Sequence, residues 1–256
     1  MTHPWFRGRA PRILAHRGLV PADAEGIAEN TAAAFAAAHA AGAQYVESDC
    51  HTTADGVVVL FHDDDLSRVT GDPRKVAEVT AAELTEIMST RGGLLTLAQA
   101  LDAFPTLRFN LDVKVASAAQ QLGRAIARHA DRVLVASFSD ARRREAVAAA
   151  VAAGGTPAAS AGTGTIARLL LAHTLRSRAL ARRALRGVDA VQVPERYGIL
   201  RVVTRRFVAT AHAAGVEVHV WTVNDADAMR RLLAMGVDGL VTDRADLALA
   251  VVAGRA

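Results

Sequence analysis

Short runs of β-branched and aliphatic residues alternate along the chain with Ala-rich and Leu-rich stretches of helical spacing, the pattern of βα units around a parallel sheet. Nine strand candidates result: Arg12 to Ala15, Gln44 to Asp49, Val57 to Phe61, Arg108 to Lys114, Arg132 to Ser137, Pro157 to Ala161, Val188 to Val193, Val216 to Val223 and Val237 to Thr242. Helical stretches fill most of the gaps. The pattern predicts an α/β fold, the (β/α)8 TIM barrel, which takes eight strands in about 250 residues. One of the nine is therefore misread or irregular, and Pro157 to Ala161 is the weakest on propensity, being Ala and Ser rather than Val and Ile. On periodicity alone a doubly wound open sheet also fits.

Two places break the alternation. The second and third strands are joined by HTTADG, too short for a helix, with Asp55-Gly56 as a turn signal. The stretch from Ala167 to Arg186 has no acidic residue and reads as one basic helix, a solvated barrel helix in preference to one lying on an anionic membrane. No repeat and no long low-complexity linker divides the chain, so residues 1–256 are expected to form a single domain.

Composition narrows the class. Hydrophobic residues make up 51% and charged residues 22% of 256 positions, which is ordinary for a globular protein and wrong for a disordered one. The net charge of +4 is a mild excess, carried mostly by Arg. Nucleic-acid binding does not follow from it, because the basic residues are not interleaved with aromatics. The start, MTHPWFRGRAPRIL, lacks the apolar core of a secretory signal. The longest uncharged run, Ala146 to Ala167, carries GGTP in its middle and is a poor membrane span. No stable membrane insertion is expected. The single cysteine, Cys50, excludes an intrachain disulfide and suits a reducing, cytoplasmic setting. Nothing in these patterns specifies an oligomeric state.

The chemistry begins at Gln44 to His51, QYVESDCH. Strand alternation places Glu47, Asp49 and His51 on one side and Val46, Ser48 and Cys50 on the other. Two carboxylates on one face of a barrel strand are costly unless they are paired or bound to a cation, and oxygen ligands suit a hard ion such as Mg2+ or Ca2+. The alternative is a strand at the barrel rim whose carboxylates are salt-bridged to Arg or Lys. Other strand ends carry related chemistry. The first strand ends in His16-Arg17-Gly18 and the third in His62-Asp63, at the C-terminal face where such barrels place their active sites. Two imidazoles can divide general acid and base duty near neutral pH. In the fourth strand, NLDVK, Asp112 and Lys114 share a face. Arg17 and Lys114 beside a metal would suit an anion with charge spread over several oxygens, and phosphate is the obvious candidate. Cys50, on the opposite face, is expected to be a small buried hydrophobe.

Taken together, His16-Arg17-Gly18, Glu29-Asn30-Thr31, Glu47-x-Asp49, Thr53 to His62-Asp63, Asp112-x-Lys114, Ser137-Phe138, Trp221-Thr222-Val223-Asn224 and Gly236 to Thr242-Asp243 occur in the order of the glycerophosphodiester phosphodiesterases of the phospholipase C-like superfamily, which the chain resembles from residue 16 to 243. The resemblance implies metal-dependent hydrolysis of a small glycerophosphodiester to glycerol 3-phosphate and an alcohol. It assigns one divalent cation, Mg2+ or Ca2+, to Glu47, Asp49 and Asp112, the acid and base to His16 and His62, and phosphate contacts to Arg17 and Lys114. Glu29 would line the metal or glycerol side. Trp221 would lie against the glycerol or alcohol portion, or else plug the barrel. The fourth strand carries Asp112 where the family usually has Glu, one methylene longer. Gly71 to Thr96 is shorter than the family's usual insertion, which predicts a more open entrance.

Two alternatives stay open. One is a lysophospholipase D or sphingomyelinase D-like phosphodiesterase of the same superfamily. The other is a non-catalytic barrel that binds phosphorylated ligands, motivated by Asp112. His219 shares the face of Trp221 but reads as a hydrogen-bonded interior residue, and His39, His129, His173 and His212 fall on helical stretches without ligand partners.

Overall fold

Buried aliphatic runs pair into a parallel sheet that curls upon itself. The computed structural model describes residues 3–254 apart from positions 9 and 23. Its strands are β1 (Arg12–His16), β2 (Tyr45–Thr52), β3 (Val58–Leu60), β4 (Arg108–Val113), β5 (Val133–Ala136), β6 (Ala158–Ala159), β7 (Ala190–Pro194), β8 (Arg196–Tyr197), β9 (Leu200–Arg201), β10 (Glu217–Trp221) and β11 (Gly239–Thr242). Eight of them run parallel in the order β6-β5-β4-β2-β1-β11-β10-β7. The two ends meet through the parallel bridge between Ser160 and Ala190, with Asp189 N donating to Ala159 O and Ala161 N to Ala190 O. The result is the (β/α)8 barrel, wrapped by helices, and the open sheet is excluded.

The irregular candidate is Val57 to Phe61, not Pro157 to Ala161. β3 pairs antiparallel with the far end of β2 and stands outside the barrel ring, as a six-residue link without a helix requires. β6 is Ala-rich yet takes a barrel place, because backbone pairing with Val135 on one side and Ala190 on the other overrides its weak propensity. The basic stretch is likewise two helices, Thr163–Thr174 and Arg178–Ala184. Between them Arg176 turns to φ +55°, and Ser177 caps the second helix by accepting from Leu180 N at 3.3 Å.

Helix starts follow local chemistry. Thr31 caps the helix Ala32–Ala40 through its hydroxyl, and Thr80 with Glu83 and Thr96 with Gln99 form capping boxes. The helices Ala116–Ile126 and Asp140–Ala152 approach closely at Gly123, where a Cβ would stand 2.3 Å from Ala146 O. Most of the core lies between strands and helices, from Ile13 to Ala248.

A second, smaller core fills the barrel's lower interior. Leu14, Tyr45, Leu134, Ala158, Ala190 and Val241 pack there against Trp5 and Phe6, whose short 3-10 turn closes the floor. Trp5 Nε1 donates to Phe109 O at 2.9 Å. Buried Arg12 forks onto Glu217, with Nε to Oε2 at 2.8 Å and Nη2 to Oε1 at 2.7 Å, and also donates to the Tyr45 hydroxyl and Phe6 O. The plugged floor leaves the opposite, C-terminal end as the open mouth. Among the described residues no helix is long and apolar enough to cross a membrane.

Candidate active site

The mouth holds a cavity of about 500 Å³, lined among others by His16, Arg17, Glu47, Asp49, His62, Asn110, Asp112, Lys114 and Trp221. Strand register assembles most of these. His16 on β1 pairs with Glu47 on β2, and Asp49 on β2 with Asp112 on β4, so neighbouring strands aim the polar side chains at one space. β2 continues past the barrel rim, turns at Asp55-Gly56 and returns as β3; Phe61 N then donates to Asp49 O at 3.0 Å. His62 therefore reaches the mouth from the return arm of a hairpin rather than from the C-terminal end of a barrel strand, which corrects the sequence reading while leaving the residue in the site.

Each histidine is held by an aspartate. His16 Nδ1 lies 2.6 Å from Asp243 Oδ1, and the other Asp243 oxygen accepts from Asn224 Nδ2 at 2.6 Å. His62 Nδ1 lies 2.5 Å from Asp63 Oδ1, and Asp63 Oδ2 accepts from Arg68 Nε at 2.6 Å. With Nδ1 committed in both rings, Nε2 is the nitrogen left for chemistry. Burial opposes the charged imidazolium of His16, but the Asp243 hydrogen bond and the nearby charge of Glu47 outweigh it and raise its pKa. His16 Nε2 stands 3.9 Å from Glu47 Oε2.

The cations are equally ordered. Lys114 Nζ sits between two carboxylates, 2.9 Å from Asp49 Oδ1 and 2.8 Å from Asp112 Oδ2. Arg17 Nε lies 3.3 Å from Asp49 Oδ2, which also accepts from Asn30 Nδ2 at 3.1 Å. Burial would raise the Asp49 pKa, but Lys114 and Arg17 hold it low. Glu47 has no cation in hydrogen-bond contact: burial, reinforced by the charge of Asp49, outweighs the pull of His16 and Lys114 and pushes its carboxyl up to about 8.

The alternation in QYVESDCH is thus resolved in favour of paired carboxylates for Asp49, while Glu47 Oε2 and Asp112 Oδ1 are buried without a hydrogen-bond partner. Two orphaned carboxylate oxygens beside an ordered carboxylate fit the hard-oxygen demand of a divalent cation. Among the described residues no three His, Cys, Asp or Glu side chains already converge on one point, because Lys114 stands between Asp49 and Asp112.

Backbone turns place these groups. Arg17 (φ +59°) and Gly18 (φ +92°) bend the chain sharply after β1; a Cβ at Gly18 would meet Ala34 at 2.8 Å, so only glycine fits. Asn30, itself at φ +59°, donates its N–H to Arg17 O at 2.8 Å and accepts from Ser48 Oγ at 2.7 Å.

Other expected residues fall as follows. Glu29 does not line the cavity; its Oε1 accepts from Arg17 Nη1 at 2.8 Å and from Arg68 Nη2 at 2.6 Å. His51 shares the face of Glu47 and Asp49 but lies at the hairpin base, 3.1 Å from His62 O. Trp221 lines the cavity with its ring edge-on to Phe138, centroids 5.9 Å apart. His219 is buried between Glu217 and Gln192, and Cys50 is a buried thiol whose pKa burial pushes up; both match the sequence reading. Asp243, Asp63, Asn224, Asn30 and Arg68 carry no assigned role in that reading. For Asp63 the signal was present, an acid directly following His62. For Asp243 only barrel closure brings it to His16.

The chain is similar to known proteins in sequence and in fold. The model of the glycerophosphoryl diester phosphodiesterase family matches residues 16–247. Probable glycerophosphodiester phosphodiesterase 2 of Mycobacterium tuberculosis is 40% identical over 238 residues, 91% of this chain and 88% of that protein. Lysophospholipase D of Rattus norvegicus is 33% identical over 118 residues, 41% of this chain and 36% of that one. In structure, an Oleispira antarctica phosphodiesterase in complex with the product sn-glycerol-3-phosphate superposes with a TM-score of 0.70 at 21% identity, covering 95% of this chain and 97% of that one, which shows the shared barrel.

Proposed function

The chain belongs to the glycerophosphoryl diester phosphodiesterase family, and from that premise we propose that it cleaves glycerophosphodiesters to glycerol 3-phosphate and an alcohol by metal-assisted hydrolysis with His16 and His62 as the acid and base pair. Family membership makes it an enzyme, which removes the non-catalytic barrel. The observation that carries the mechanism is the pair of Asp-His units, His16 with Asp243 and His62 with Asp63, on the rim of one cavity.

Each aspartate fixes its ring so that Nε2 exchanges the proton. One imidazole takes the proton from the attacking oxygen and the other gives one to the leaving alcohol oxygen, so that no charged alkoxide is released. Lys114 and Arg17 bind phosphate oxygens and keep the diester over the histidines. Glu47, Asp49 and Asp112 would hold a Mg2+ or Ca2+ ion, which would supply further positive charge for the phosphoryl oxygens. Glu29 positions Arg17, and Trp221 packs on the glycerol or alcohol portion. The same reading takes residues 1–256 as one catalytic domain acting on a small molecule in the cytoplasm.

The test is release of glycerol 3-phosphate from glycerophosphocholine and glycerophosphoethanolamine, using EDTA-stripped protein and then protein with Mg2+, Ca2+ or Mn2+ restored. Ion-dependent release is expected. Equal rates in the stripped protein would remove the cation from the mechanism.

One observation favours a second substrate. Part of the cavity wall is apolar, formed by Phe138, Ile166, Leu170, Tyr197, Leu200 and Val202, which suits a diester whose glycerol bears an acyl chain. Lysophosphatidylcholine cleaved with a lower KM than glycerophosphocholine would establish it, and no cleavage would exclude it.

A further inference from the structure

β8 and β9 form a two-residue hairpin that pairs only with itself, Arg196 against Arg201 and Tyr197 against Leu200. Gly198 and Ile199 make its tip. Turn tips favour Gly, Asn, Asp and other residues that water tolerates, yet Ile199 is 101% exposed and its neighbour Tyr197 77%. Tyr197 and Leu200 also line the cavity, as does exposed Phe138. An apolar rim thus stands exposed at the mouth of the barrel among the described residues.

Charge along the segment that carries this rim is one-sided. From Thr163 to Phe207 the chain carries ten arginines against two acids, Asp189 and Glu195. Both acids are engaged: Asp189 accepts from Ala159 N at 2.9 Å, and Glu195 pairs with Arg231 at 2.8 Å. Since the whole chain is only +4, this segment holds more than the entire excess, and the remainder is net acidic. Arg196 and Arg201 flank the apolar tip directly, Arg201 also standing 3.6 Å from Glu195.

An apolar tip between cations matches the chemistry of an anionic bilayer surface, where the apolar group enters the acyl boundary and the arginines meet headgroup phosphates. We propose that the hairpin Arg196–Arg201, with Phe138 beside it, docks the barrel mouth on an anionic phospholipid bilayer, Ile199 entering the lipid. The docking rests on the proposed function only in taking the mouth as the substrate entrance. It delivers diesters that reside in or next to the membrane to the cavity through a surface contact.

The test is co-sedimentation of the full chain with phosphatidylcholine vesicles with and without phosphatidylglycerol. Sedimentation with the anionic vesicles alone, weakened by salt, is expected, and Ile199→Asp should weaken it by about ten-fold or more. Ile199→Trp should give a blue-shifted emission on addition of anionic vesicles, since it places an indole at the tip. Absence of wild-type sedimentation, or wild-type binding by Ile199→Asp, overturns the proposal. So does a dimer that Ile199→Asp dissociates in place of vesicle binding, which would assign the rim to a second copy of the chain. Circular dichroism and turnover of soluble glycerophosphocholine, both expected to be unchanged in Ile199→Asp, report that the variant folds. Vesicle binding is scored without turnover, so a wild type that binds vesicles but cleaves no diester would sink the activity and leave the docking standing.

Discussion

His16 and Asp243 lie 227 residues apart and meet at 2.6 Å, ring Nδ1 to carboxylate Oδ1. The contact exists because β1 and β11 are neighbours in the closed barrel, with Ala15 opposite Thr242. On the proposed mechanism His16 is the group that would touch the substrate and Asp243 acts through it, so Asp243 is a positioning residue. Asp243→Asn should lower kcat by about a hundred-fold while leaving KM within about two-fold, because the ring loses its fixed tautomer but the phosphate contacts remain. Steady-state kinetics decide it; an unchanged kcat would show that the ring needs no such anchor.

The two histidines themselves should be indispensable for turnover and dispensable for folding, since both lie on the cavity rim rather than in the core. His16→Ala and His62→Ala are each expected to lose about a thousand-fold or more in kcat with an unchanged melting temperature. Near-wild-type rates in either would end the acid and base assignment.

Asp112 presents one oxygen to Lys114 and leaves Oδ1 buried without a partner. Asp112→Glu adds the methylene that the family usually has at this position and should preserve or raise affinity for Mg2+ in calorimetric titration of EDTA-stripped protein. A large loss would mean that the surrounding groups are fitted to the shorter side chain.

The barrel floor predicts an acid limit. Burial would raise the Glu217 pKa, but hydrogen bonds from Arg12 and His219 hold it down, from 4.5 to about 2. A depressed carboxylate stabilises the fold fully above its unfolded pKa and loses that contribution as pH falls through the folded value. Stability on the order of 2 kcal/mol, once solvent screening of the partly exposed carboxylate is allowed for, should therefore disappear between about pH 4.5 and 2. Glu217→Gln should remove this pH dependence and destabilise the protein at neutral pH by about 3 kcal/mol or more, because Arg12 is left buried without its partner. Urea unfolding across that pH range measures both.

Gly123 allows two helices to touch. Gly123→Ala should cost about 2 kcal/mol in urea unfolding, since its Cβ would fall 2.3 Å from Ala146 O and 2.6 Å from Ala149 Cβ, both on a helix held by the core. Turnover per folded molecule should not change.

The two-residue period of a strand is a local property, and it alone settled which side chains of QYVESDCH and NLDVK share an inner face. Glu47, Asp49, Asp112 and Lys114 were therefore readable as one group, as were the barrel class and the family motifs. Which groups pair within that face depends on register between strands, so Lys114 standing between Asp49 and Asp112 was not readable. The role of Asp243 awaited barrel closure, and the approach of His62 awaited a hairpin that no helical link could replace. β6 shows the same limit, an Ala-rich segment made a strand by its neighbours' backbones. Trp5 and Phe6, legible only as a segment without a signal core, became the barrel floor. Local propensity specifies faces and elements, whereas closure, register and plugging come from the summed burial of residues far apart in sequence, which no short window contains.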